Sequence, residues 1–243
     1  EQVEAALKES SRAQVFDNIL IPALTRAERD RAREEIDEEQ QAFVWRVTDA
    51  ILDELEAAPV AVSVSARPAP TSGDPDGIGA VSVAKLPDDA PPSAPVEAGR
   101  PVGRVLGVAA NDASDGLVLR MLGLLLMETP GCTLEIITDA SSPLKVADQV
   151  AQNLPDLVLL SHLPPVGLTP ARYLVRRLRA RFAILPLWVG RWGEVGAEGP
   201  AERLLDAGAS RVVHGVADAH WHILEALRPK PTPQELSLST SSS

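Results

Sequence analysis

The chain has 243 residues, 45% of them hydrophobic but only 3% aromatic, so its core must be built mainly from Leu, Val, Ile and Ala. A formal charge of −11 excludes generic binding to nucleic acid, whose phosphates would be repelled. The single Cys132 excludes a disulfide framework and fits a reducing compartment.

No apolar run approaches the ~20 residues that a membrane span requires, and no signal-peptide pattern is present. The first residue is Glu1 rather than Met, which is expected of a fragment or a processed product. Charge is distributed unevenly: residues 1–57 carry 15 acidic and 7 basic side chains, whereas residues 103–228 carry 13 and 12.

Residues 12–35 lack strand alternation and read as helix, with Val15, Ile19, Leu20, Leu24 and Ala27 along one side. Pro22 should kink or restart it, because it removes a donor and crowds the preceding turn. Asp37 is the expected N-cap of a second helix, with Gln40 as its capping-box partner. In that helix Phe43, Val47, Ala50 or Ile51, and Leu55 recur at helical spacing as the apolar face. This small helical module, residues 1–57, must pack on the later domain, on another copy or on a missing segment. Residues 58–102 hold 9 of the 21 prolines and no aromatic residue, and read as a flexible linker. The tail 229–243 reads as disordered for the same compositional reason.

From 103 to 228 apolar runs alternate with helical patterns. Strands are expected at 104–110, 133–138, 157–161, 184–189 and 211–213. The helices between and after them are expected at about 115–128, 142–153, 169–180, 200–207 and 217–227. Five strand–helix repeats predict an α/β fold, a doubly wound five-stranded parallel sheet in the flavodoxin-like order 2-1-3-4-5. The strands are continuously apolar, as expected of strands covered on both faces.

Ligands in this architecture sit at the carboxyl ends of the strands, which directs attention to three loops. The first offers Asn111, Asp112, Ser114, Asp115 and Gly116 at a helix start, where Ser114 or Asp115 would ordinarily serve as N-cap. The second offers Ser161 and Leu163 on either side of His162, followed by two prolines that would fix a rigid turn. The third is Gly190-Arg191-Trp192-Gly193, whose guanidinium and indole could hold an anionic or planar ligand or stack on each other at the surface. These residues form the candidate ligand-binding set.

Several chemistries are set aside at this point. A receiver-type phosphoacceptor site needs an acidic pair after the first strand, an Asp ending the third and a Lys after the fifth. Here the third strand ends in Ser161-His162-Leu163 and no Lys follows Val213. No GxGxxG and no G-x-S-x-G is present. His214, His220 and His222 have no cysteine partner, and the last two point apart on a helix, so no metal site and no catalytic residue is assigned. The helix at 169–180 carries Arg172, Arg176 and Arg179 with Arg177 and Arg181 beside them. It reads as a solvated basic face, or as a docking surface for the acidic amino-terminal helices or an anionic membrane.

These residues carry a resemblance. The 103–228 domain resembles the cobalamin-binding domains of methionine synthase and methylmalonyl mutase. There a loop Asp-x-His-x-x-Gly supplies the cobalt ligand, a Ser-x-Leu motif ends the third strand, and a Gly-Gly pair follows the fourth. Ser161-His162-Leu163 matches the second motif, Gly190-Arg191 keeps half of the third, and Ser114 stands where the first has its His. The segment VFDNILIPALTRAERDRAREEIDEEQQAFV is similar to half of the helical cap that precedes such domains. Together with LPPVGLTPARYLVRRLRARF and GRWG, it resembles the cytosolic tail of autoinducer-2 exporter-like transporters.

The resemblance implies a non-catalytic regulatory or interaction domain that keeps the cobalamin scaffold without its cobalt ligand. No cofactor is expected, and cobalamin is disfavoured. The domain would be cytoplasmic, at the inner face of the inner membrane. Its partners would be its own transmembrane domain, another protein subunit or a second copy, and not nucleic acid. The alternative is a sensor that uses Asp112, Ser114, Ser161 and Arg191 around a corrinoid or another small anionic ligand.

Overall fold

The computed structural model describes residues 10–57, 102–110, 113–140, 142–165, 167–193 and 198–228. The linker apart from Val102, the tail from 229, and Asn111 and Asp112 lie outside the described residues.

The first helix, α1 (Arg12–Val15), is capped by Ser11 and Gln14 in a capping box. It passes through a π-helical turn (Phe16–Leu20) into α2 (Ile21–Ala32). The Ile21 N–H reaches back to the Phe16 carbonyl in this wider turn. Pro22 follows in the first turn of α2, where its missing donor is least costly. The expected restart at Pro22 is therefore present, and a π turn precedes it. Helix α3 (Glu38–Ala57) opens with the expected reciprocal cap, Asp37 N–H to Gln40 Oε1 (2.9 Å) and Gln40 N–H to Asp37 Oδ1 (2.8 Å).

The buried face of α3 differs from the expected one. Gln41, Thr48, Leu52 and Leu55 are buried, whereas Phe43 and Val47 are 59% and 41% exposed. Polar pairing rotates the helix: Gln41 Nε2 donates to Glu28 Oε2 of α2 (2.9 Å), and the Thr48 hydroxyl donates to the Val44 carbonyl. A pattern of apolar residues alone cannot show that a Gln–Glu bond occupies the interface.

Strands β1 (Gly103–Ala109), β2 (Cys132–Ile137), β3 (Leu157–His162), β4 (Leu187–Arg191) and β5 (Arg211–Val213) form one parallel sheet in the order β2-β1-β3-β4-β5. They alternate with helices α4 (Ala113–Met127), α5 (Pro143–Asn153), α6 (Leu168–Arg181), α7 (Glu198–Asp206) and α8 (Val216–Ala226). This is the expected doubly wound, flavodoxin-like architecture. Strands β3 and β4 are buried throughout, whereas the edge strand β2 alternates, as position in the sheet requires.

β4 starts three residues later than the apolar run suggests. Ile184 is 97% exposed, because Phe182–Leu185 form a turn whose carbonyls are held by Arg179. Burial also pushes up the pKa of the Cys132 thiol at the start of β2.

One core joins α4, α8 and the amino-terminal helices to one face of the sheet; Phe16, Leu20, Ile21, Leu24, Leu52 and Leu55 belong to it. The other core lies beneath α5, α6 and α7. Of the three packing choices open to the amino-terminal helices, the structure has them on the α/β domain. Their acidic residues do not meet the basic α6, which packs on the opposite face. They meet Arg120 of α4 instead, through Asp49, Asp53 (2.7 Å) and Glu56 (3.3 Å). Partial burial pulls the Arg120 pKa down, but the bonds and charges from Asp53 and Asp49 outweigh it and the net shift is upward.

Candidate functional site

The order β2-β1-β3 reverses the winding direction between β1 and β3, so the crevice at their carboxyl ends is the expected ligand position. Register places Ala109, Ser161, Gly190 and Val213 side by side across β1, β3, β4 and β5. Side-chain alternation then divides the polar residues of this edge between the two faces of the sheet.

On the α4 face, Trp192 folds back over Gly190, and its indole Nε1–H donates to Ser161 Oγ (2.7 Å). Ser161 in turn lies 3.4 Å from Asp115 Oδ1, which also accepts from the Leu163 N–H at 2.7 Å. Asp115, Ser161 and Trp192 are all fully buried. Helix α4 begins at Ala113, so Ser114 and Asp115 lie within its first turn rather than ahead of it. The Asp115 carboxylate thus joins that first turn to the end of β3, and Ser161 joins it to the segment after β4.

On the α6 face, Arg191 Nη1 donates to His162 Nδ1 (2.8 Å), and His162 Nε2 lies 3.1 Å from the Gly167 carbonyl. A guanidinium always donates, so Nδ1 must be the accepting nitrogen and Nε2 the protonated one. The arrangement calls for the neutral imidazole. The Pro164–Pro165 peptide after β3 is cis.

The structure thus brings together Asp115, Ser161, Leu163, Gly190 and Trp192, and it pairs Arg191 with His162. Arg191 and Trp192 are not presented to solvent: they are 6% and 0% exposed. Gly116 stands apart, lining a cleft of about 570 Å³ with Trp45, Arg46, Arg120, Ile136 and Thr138. Ser114 is buried.

Sequence reasoning missed the part played by Asp17. Its carboxylate accepts from Val216 N–H (2.6 Å) and Ala217 N–H (3.0 Å), capping α8 from a helix about 200 positions away. The N-cap residue of α8 is Gly215, which has no side chain to do this, and a Cβ there would lie 3.0 Å from Asp17 Oδ2. Gly193 N–H also donates to the His214 carbonyl, and His214 Nδ1 lies 3.3 Å from the Arg191 carbonyl. The carboxyl end of β4 is therefore tied to β5, and the start of α8 to the amino-terminal helix.

Chemically, this edge is a set of mutually satisfied donors and acceptors without an open nucleophile. The Ser161 hydroxyl is bound by the indole and by Asp115, with no solvent access. Trp192 fills the space above Gly190 that a ligand would need.

No protein-family model matches the chain, and no curated protein matches it. Solved structures do. A response regulator from Chloroflexus aurantiacus is 20% identical, covering 52% of this chain and 98% of its own, with a TM-score of 0.39. The receiver domain of a LuxO repressor protein from Vibrio parahaemolyticus is 8% identical over 58% of this chain and 98% of its own (TM-score 0.40). The receiver domain of NarL from Mycobacterium tuberculosis is 15% identical over 52% and 97% (TM-score 0.37). The expected kinship with cobalamin-binding domains and a transporter tail is accordingly corrected, and with it the permease-tail and small-ligand-sensor readings. The buried Arg191 and Trp192 give the physical reason, since they occupy the strand ends where a corrinoid would enter. Among the described residues no helix is long and apolar enough to cross a membrane. What the solved structures share with this chain is the doubly wound parallel fold.

Proposed function

We propose that this chain is a non-catalytic protein-interaction module that accepts no phosphoryl group, its strand-end crevice having become a structural joint. The observation that carries the reading is the Trp192–Ser161–Asp115 chain, fully buried and bonded within itself at the switch point of the sheet. A phosphoryl acceptor would need an exposed carboxylate at the end of β3. That position holds Ser161 and His162, and the nearest carboxylate, Asp115, accepts a backbone N–H. Residues held this way transmit position between α4, β3 and β4, which suits a scaffold whose outer helices present surfaces to other proteins.

Incubation with acetyl phosphate and Mg²⁺, followed by intact mass measurement, tests the reading. The expected result is an unmodified chain, and a stoichiometric phosphoryl adduct on Asp115 or Ser161 overturns it.

A further inference from the structure

Helix α6 is the exception to the charge logic of this molecule. It carries Arg172, Arg176, Arg177, Arg179 and Arg181 and no acidic residue, in a chain whose 34 acidic side chains outnumber its 23 basic ones. Elsewhere arginines are matched with carboxylates: Arg12 with Glu128, Arg26 with Asp30, and Arg120 with three acids of α3. Within α6 two arginines have structural work. Arg179 bonds the carbonyls of Phe182, Ala183, Leu185 and Gly208 and the Ser210 hydroxyl, and Arg181 pairs with Asp148 (2.6 Å). Both also lie in the last turn, where the helix dipole favours cations.

Arg172, Arg176 and Arg177 have neither justification. Arg176 and Arg177 are exposed, and among the described residues neither they nor Arg172 makes an ion pair. Arg172 lies near the helix start, where the dipole opposes a cation, and it stands one turn from Arg176. Arg177 likewise stands one turn from Arg181, and each like-charge pair costs a few tenths of a kcal/mol. The Tyr173 ring, 54% exposed, lies between them with the Arg177 guanidinium 5.9 Å from its centroid. The buried side of the helix, Ala171, Leu174, Val175 and Leu178, would pack equally well with neutral residues outside it.

We propose that this face of α6 is a docking surface for an acidic polypeptide segment of a partner protein, gripped by Arg172, Arg176 and Arg177 beside Tyr173. The partner chemistry follows from charge complementarity and from shape. The uncompensated positive strip is one helix wide and is flanked by exposed Asp148 of α5 and by Glu202 and Asp206 of α7. A flat anionic membrane or a duplex would press its own charge against those acids, whereas a narrow acidic strand or helix would not. The proposal rests on the reading of the chain as an interaction module. It is tested by binding, whereas that reading is tested by phosphoryl transfer, so the two can fail separately.

Fluorescein-labelled poly-L-glutamate serves as the probe, with fluorescence anisotropy read at about 50 mM and about 300 mM NaCl. Saturable binding is expected at the lower salt. It should weaken about tenfold or more in R172Q/R176Q/R177Q and persist in R46Q, which removes an exposed arginine of α3. The triple variant should melt at the wild-type temperature or above it, since only repulsion is removed.

Four outcomes would overturn the proposal. One is absence of binding at low salt. Another is equal loss in R46Q. A third is a fall in melting temperature of the triple variant, which would make the arginines structural. The fourth is arginine-dependent binding of phosphatidylserine vesicles, or arginine-dependent self-association in sedimentation, with polyglutamate left unbound.

Discussion

Gly190 has no room for a methyl group. It sits in the middle of β4 with the Trp192 ring laid against it, and a Cβ there would overlap the ring carbons. Gly190→Ala must therefore displace Trp192, breaking its bond to Ser161 and leaving Asp115 and Ser161 with one partner fewer. Overpacking of this kind costs about 1–3 kcal/mol, and a lost buried hydrogen bond about 1 kcal/mol more. Urea unfolding should show the loss, and Trp192 fluorescence should shift to the red as the ring leaves its buried position. A variant with wild-type stability and spectrum would show that the ring does not lie against this glycine. Nothing in the sequence marks this contact, because Gly-Arg-Trp-Gly reads equally well as an exposed turn. The distinction depends on which side chains the sheet register aligns, and that is a property of four strands together.

At the scale of elements, the boundaries were legible where apolar periodicity and caps agreed. Asp37 and Gln40 identified the start of α3 from local chemistry alone, since both partners lie within one turn. The cap of α8 was not legible, because its carboxylate, Asp17, comes from a helix about 200 positions earlier and the local N-cap is a glycine. His220 of α8 is a similar long-range contact. It packs at the carboxyl end of α4, with the Leu125 carbonyl accepting from its ring, Glu128 nearby and its Nε2 buried without a partner. Arg12 of α1 in turn pairs with Glu128 at 3.5 Å.

Burial lowers the His220 pKa, and the Glu128 charge and the Leu125 carbonyl offset this only in part. The sign follows directly. With its folded pKa depressed, the imidazole binds a proton more readily in the unfolded chain. Stability is therefore full above the ordinary histidine pKa of about 6.5 and declines as pH falls below it. Chemical denaturation at about pH 7.5 and about pH 5.5 should show a loss that is smaller in His220→Gln. Equal losses in the two proteins would remove His220 as the cause.

At the scale of the whole molecule, the sheet order was legible because alternating strand and helix patterns leave few topologies. What covers α4 was not. Ten of its fifteen residues are buried, including Leu117, Val118, Leu119, Met121, Leu122, Leu124, Leu125 and Leu126. A sheet covers only one side of a helix, so a helix apolar nearly all round needs a second neighbour. The amino-terminal helices supply it: Phe16, Leu20, Leu24, Leu52 and Leu55 share one core with α4, α8 and the sheet. A Leu-rich α4 between two strands looks the same in sequence whether its outer side meets helices of its own chain or another molecule.

The consequence is testable by truncation. A chain beginning at Val102 keeps all five strands yet bares the outer side of α4 and the unsatisfied N–H groups that Asp17 caps on α8. Each buried leucine side chain returned to water costs on the order of 2 kcal/mol, which for several together exceeds what a domain of this size can spare. The truncated chain should therefore bind the dye ANS, sediment as aggregates, and regain a compact monomeric state when residues 10–57 are added as a separate polypeptide. A truncated chain that stays monomeric, does not bind the dye and unfolds cooperatively at the wild-type temperature would show that the α/β sheet and its own helices are sufficient, and that the amino-terminal helices are an accessory layer.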